Sequence, residues 1–184
     1  NITFKSEIKN VSALIEKVDF QISDNYVDHT MQRDNYMMGK PMTVRHNTNA
    51  ARVSSTLNLA DSLKAQLGAD YSISTHSNNG MTGLPVFSDD AELESHAVFG
   101  EITRKLSDKD SVIGGVRLEH WRAYDNAATN GMSANPTRGK SRTDNLASGF
   151  ARYETSLTSI SNAKSYIGLG RSERMPDYWE LISS

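Results

Sequence analysis

Eight stretches of this chain alternate apolar and polar side chains, and the links between them alternate in length: short, long, short, long, short, long, short. Successive side chains of a strand point to opposite faces, so each such stretch reads as a strand with one apolar and one polar side. The alternation of link length constrains the fold further. In an antiparallel meander it gathers every short turn at one end and every long loop at the other. Transmembrane barrels are built that way, with apolar side chains facing out and polar ones facing in. A soluble sandwich also alternates, but it buries its apolar faces against each other and needs bulky side chains to fill the space. Here those faces are diluted with Ala, Gly and Ser. The expected fold is all-β: an antiparallel up-and-down meander of about eight strands, curved as the wall of a transmembrane β-barrel.

The first strand carries Ile2, Phe4 and Ile8 against Thr3, Lys5, Glu7 and Lys9. A short link near Asn10 to Ala13 leads into a long strand from Leu14 to Met31. In it Val18, Phe20 and Ile22 oppose Lys17, Asp19, Gln21, Ser23 and Asn25. A polar link, Gln32 to Met42, precedes a strand in which Ala51, Val53, Leu57 and Leu59 face away from Arg52, Ser54, Thr56 and Asn58. After a turn at Ala60-Asp61-Ser62 comes the cleanest alternation. Leu63, Ala65, Leu67, Ala69, Tyr71 and Ile73 oppose Lys64, Gln66, Gly68, Asp70, Ser72 and Ser74. Further strands are expected at Ser95 to Leu106, around Val112 to Trp121, near Asn145 to Leu157 and near Ala163 to Arg174. Long links at roughly Ser77 to Glu94 and Asp125 to Thr143 separate them, with short ones between the rest.

A net charge of −2 on 184 residues gives no basic surface for nucleic acid, so none is expected as a partner. No run approaches the roughly 18 apolar residues of a membrane-spanning helix. With no Cys, neither disulfides nor thiolate metal sites arise within these residues. The chain starts at Asn1 and carries no signal peptide, so residues 1–184 are expected to be one piece of a longer protein.

At the end of the long strand, Asp28-His29-Thr30-Met31 puts His29 and Met31 two apart, hence side by side on the polar face. An imidazole and a thioether so placed make half of a soft-metal site of the kind that suits copper. At ~3.3 Å per residue and ~45° tilt, the climb from Leu14 to His29 is roughly 35 Å. The lipid-facing band of such barrels is only ~25 Å tall, which puts His29 and Met31 above the membrane, facing the mouth. All seven Met (31, 37, 38, 42, 81, 132 and 175) fall at strand ends or in links on that outer side. His29, His46, His76, His96 and His120 lie in the outer parts of their hairpins too. Lys17, Asp19, Lys64, Asp70, Arg117 and Glu119 share the inward face and are expected to form an ion-pair network.

The segment Gly168-Leu169-Gly170-Arg171-Ser172-Glu173-Arg174-Met175-Pro176-Asp177-Tyr178-Trp179-Glu180-Leu181 resembles the TonB-dependent outer-membrane receptors. Their barrels carry a Gly-rich strand ending in Arg-x-Pro, with Glu-Leu shortly after. The Arg174 to Leu181 form is similar to the copper branch of that family, and His29-Thr30-Met31 is similar to its copper-binding His-x-Met. The resemblance implies a 22-stranded barrel with a plugged lumen, of which this chain supplies about eight strands. It implies localisation in the bacterial outer membrane, contact with lipid, and active copper import energised by the TonB system through a plug domain absent from this chain. It further implies that a Cys and a Met from that plug complete the copper site begun by His29 and Met31.

Enzyme signatures are weak. Ser6-Glu7-Ile8-Lys9 and Ser161-Asn162-Ala163-Lys164 spell S-x-x-K and Ser23-Asp24-Asn25 spells S-D-N, but no K-T-G accompanies them. No phosphate loop, dinucleotide fingerprint or H-E-x-x-H occurs. The expectation is a non-enzymatic copper receptor. The alternatives are the same fold serving a siderophore or other chelate, and a soluble β-sheet binding domain.

Overall fold

The computed structural model describes residues 1–31, 42–78, 90–127, 129–130, 133–157, 163–176 and 180. Among them the chain forms β1 (Ile2–Lys9), β2 (Ile15–Met31), β3 (Met42–Ala60), β4 (Leu63–Asn78) and β5 (Asp90–Lys105). These are followed by β6 (Asp110–Asp125), β7 (Thr129–Asn130), β8 (Ser133–Ala134), β9 (Lys140–Ser156) and β10 (Lys164–Arg171). One eight-stranded sheet runs β1-β2-β3-β4-β5-β6-β9-β10, each strand antiparallel to its neighbours, while β7 and β8 pair with each other inside the third long link. The antiparallel meander expected from the link lengths is the fold.

Register runs across the sheet in rows. Phe20, Val53, Ala69, Val98, Leu118 and Ala147 lie opposite one another in turn, on the apolar face. One step toward the long links the row beneath, on the other face, reads Gln21, Arg52, Asp70, Ala97, Glu119 and Leu146. Burial follows the opposite rule from a soluble protein. Ser54, His76, Leu93, Ser95, Ala97, Ile113 and Trp121 are buried, and all sit on the polar face. On the apolar face Val98, Val116 and Leu118 are 56%, 64% and 57% exposed. Ala65, 6% exposed, is buried on the apolar face, but the large aliphatic side chains of that face point outward, which suits a lipid surround on one side and a lumen on the other.

The turns are fixed by short-range bonds. At the β5–β6 turn Ser107 Oγ donates to Asp110 Oδ2 at 2.7 Å, and Tyr153 Oη, from β9, donates to Asp110 Oδ1 at 2.7 Å. In the third long link Asp125 accepts from Asn135 Nδ2 at 2.9 Å and from Thr137 Oγ1 at 2.7 Å, which ties the loop back to the end of β6.

The strands exceed the stretches in which periodicity is visible. β3 starts at Met42 rather than near Ala51, β5 at Asp90 rather than Ser95, and β9 at Lys140 rather than Asn145. Each extension is toward the long links; in β3 and β9 no apolar face marks it, and in β5 the apolar Ala91 and Leu93 lie on the inward face, against the sense of the alternation that follows. Thr43, Arg45, Asn47 and Asn49 alternate in β3 with Val44, His46, Thr48 and Ala50, so no apolar contrast marks the strand.

Candidate metal site and its inward face

β2 and β3 form a tall hairpin whose tips hold the candidate ligands. His29 pairs with Val44 and Met31 with Met42, the last register pair of the two strands. The apolar side of the sheet continues upward here as a polar zipper. Thr30 Oγ1 and Thr43 Oγ1 are 3.1 Å apart, Arg45 Nε donates to Asp28 Oδ2 at 3.3 Å, and Tyr26 Oη donates to the same oxygen at 3.2 Å. These bonds hold the hairpin's register. By strand alternation they leave His29 and the backbone positions of Met31 and Met42 together on the inward side. His29 is exposed, and among the described residues no hydrogen bond or ion pair engages its ring. His29 and Met31 are thus two residues apart at the end of β2, at successive positions of one strand face.

No group of three or more His, Cys, Asp or Glu side chains stands close enough to hold a metal among the described residues. The inward face does bring His46 and His76 together: they are a direct register pair of β3 and β4, their rings 5.9 Å apart and edge to face. Sequence periodicity alone missed this pair, because it depends on the β3–β4 register. His96 and His120 lie on the opposite, apolar face. His96 Nε2 is 3.2 Å from Glu94 Oε1, and His120 Nδ1 is 2.9 Å from Asn145 Oδ1, so neither faces the lumen. Met37, Met38, Met81 and Met132 lie outside the described residues. Met175 packs on the polar face against the cluster of Ala91 and Leu93.

Deeper on the inward face runs the expected ion-pair network. Arg117 donates to both oxygens of Asp70, at 2.6 and 2.8 Å, and its Nε donates to Glu119 Oε2 at 3.1 Å. Ser95 Oγ donates to Glu119 Oε1 at 2.6 Å. Lys17 bridges Asp19 at 3.0 Å and Glu7 at 3.2 Å, while Lys64 reaches Glu16 at 2.5 Å. Arg52, although register-paired with Asp70, lies instead over the Phe99 ring, 4.3 Å from its centroid. The inward face is thus a charged wall beneath an imidazole-lined rim.

The family model described as TonB dependent receptor-like, beta-barrel matches residues 5–184. The chain belongs to that family. TonB-dependent receptors are transporters. Among solved structures the barrel segment is similar to one titled Copper transporter OprC, with 33% identity, a TM-score of 0.83, and coverage of 98% of this chain and 31% of that one. It is also similar to the ferric-catecholate import receptor Fiu of E. coli K12 in its open form. There the identity is 15% and the TM-score 0.64, over 95% of this chain and 35% of that one. At that identity the second likeness shows the fold alone. The chain spans about a third of the length of both receptors. No curated protein matches it.

Proposed function

We propose that this chain is the wall segment of a TonB-dependent receptor in the bacterial outer membrane that imports copper, with His29 and Met31 as the barrel's contribution to the capture site. Residues 1–184 would be one barrel segment, the plug and the remaining strands being supplied by the rest of the receptor. The observation that carries the reading is the pairing of two facts. The 33% identity at a TM-score of 0.83 is to a copper transporter, and the His29-Thr30-Met31 stretch ends a strand with the backbone positions of His29 and Met31 two apart on one side of the sheet.

The mechanism follows from soft-ligand chemistry and position. Imidazole and thioether together favour copper over harder cations, so hydrated Mg and Ca would pass the rim unbound. Two ligands leave a copper ion under-coordinated, so capture requires further ligands from the plug that fills the lumen. Movement of the plug, driven by the TonB system, would then separate the two halves of the site and release the ion inward. The charged wall of Lys17, Asp19, Asp70, Arg117 and Glu119 supplies a hydrated, polar surface against which such a plug can sit without an apolar seal.

The rival within the same fold is a receptor for a ferric chelate. The test is uptake. Cells expressing the receptor should accumulate copper in a TonB-dependent manner and gain no ferric-catecholate uptake. Iron-chelate uptake without copper accumulation would reverse the assignment.

A further inference from the structure

We propose that His46 and His76 form a second metal station, made of imidazoles alone, that takes a divalent ion of intermediate softness, Cu(II) above all. Directly opposed residues of an antiparallel pair have Cβ atoms ~4.5–5.5 Å apart, and these two are such a pair. A metal ~2.0 Å from each of two nitrogens needs those nitrogens about 3–4 Å from each other. Rings already edge to face at 5.9 Å between centroids reach that by rotation of one side chain.

The two histidines are unequally exposed, which suits a chelate that forms and opens. His76 is buried, 8% exposed, and so is fixed by its surroundings, whereas His46 is exposed and can turn. His46 Nε2 lies 3.4 Å from Thr48 Oγ1, and that hydroxyl is 2.8 Å from Ser74 Oγ on β4. Hydroxyls that engage one ring nitrogen orient the imidazole and leave the other nitrogen for a metal. The same-face register neighbours of the pair are Val27 and Ala91, with Val44, Thr48, Ser74 and Asn78 along the strands.

The position adds a direction. His29 is the diagonal neighbour of His46, ~7–8 Å away between Cα atoms, so three imidazoles step across β2, β3 and β4 on one face. The His29–Met31 end carries a thioether and favours Cu(I). The His46–His76 step is imidazole only and favours Cu(II) or its borderline neighbours. Two protein ligands with water completing the shell bind weakly enough to let go, the property a way station needs. Its role on the import route rests on the copper reading above; the metal site itself does not.

The experiment uses the full-length receptor in detergent, free of any affinity tag, with Cu(II) alone added in air and read by electron paramagnetic resonance. In a His29→Ala, Met31→Ala background a Cu(II) signal with imidazole-nitrogen coupling should persist. Adding His46→Gln, an exposed position that does not bear on folding, should remove it, and His76→Gln should do the same. His96→Gln and His120→Gln, on the apolar face, should leave it intact. Absence of nitrogen-coupled Cu(II) in the background variant would overturn the proposal, as would a signal unchanged by His46→Gln and His76→Gln. Cu(I) binding under reducing conditions is measured on the same variants. Its retention in the His29→Ala, Met31→Ala receptor would count against the capture site while leaving the second station standing.

Discussion

Arg117 spans three strands because a small residue lies in its path. Asp70, Ala97 and Glu119 form one row across β4, β5 and β6, and the methyl of Ala97 leaves room for the guanidinium to cross from β6 to the carboxylate on β4. The bidentate contact has the geometry in which an ion pair is worth most, and its members are only partly exposed. A double-mutant cycle of Arg117→Ala with Asp70→Ala should therefore give a coupling of roughly 0.5–3 kcal/mol in denaturant unfolding of the receptor from lipid vesicles. A coupling near zero would mean that lumen water screens the pair fully. Gly68 makes a second residue-level case. A Cβ there would fall 2.3 Å from Phe99 Cζ and 2.8 Å from the Val53 carbonyl oxygen, and Phe99 is itself covered by Arg52. Gly68→Ala should cost about 1–3 kcal/mol as overpacking, and Phe99→Leu should relieve part of that in the double variant.

At the scale of the strand, the two faces should respond oppositely to charge. Leu67 is 52% exposed on the apolar face, register-paired with Ser55 and Gly100, and Val116 is two strands away in the same row. Leu67→Arg or Val116→Arg should cost about 2–4 kcal/mol if the row lies near the bilayer midplane. Gln66→Arg, one residue along but facing the lumen, should cost far less. Equal costs on both faces would contradict the assignment of lipid and lumen sides. The same two-faced character decides what the sequence discloses. Where one side meets lipid, as from Leu63 to Ile73, alternation is plain and the strand is legible residue by residue. Above the bilayer both sides meet water, the contrast vanishes, and the start of β3 at Met42 is not visible. The candidate site divides along the same line. His29 and Met31 share a face by alternation within one strand, which any reader of the sequence can count. His46 and His76 are thirty residues apart and meet only through the β3–β4 register, which includes an irregularity between Asn58 and Ala60.

For the molecule as a whole, the outward aliphatic face and the two outer strands point the same way. Among the described residues β1 and β10 each pair with one neighbour only, which leaves their other backbone edges open there. Open edges recruit further strands, which a closed barrel supplies and an isolated segment does not. Residues 1–184 expressed alone should aggregate even in detergent, whereas the complete receptor should run as a compact, heat-modifiable barrel in electrophoresis. A monodisperse isolated segment in plain buffer would favour a soluble sheet domain instead. Copper capture remains the central claim, and the direct measurement is a Cu(I) titration of the folded full-length receptor and of its His29→Ala and Met31→Ala variants. Each variant should fold normally and bind at least about tenfold more weakly, a loss of ~1.4 kcal/mol or more. Wild-type affinity in both variants would contradict the site.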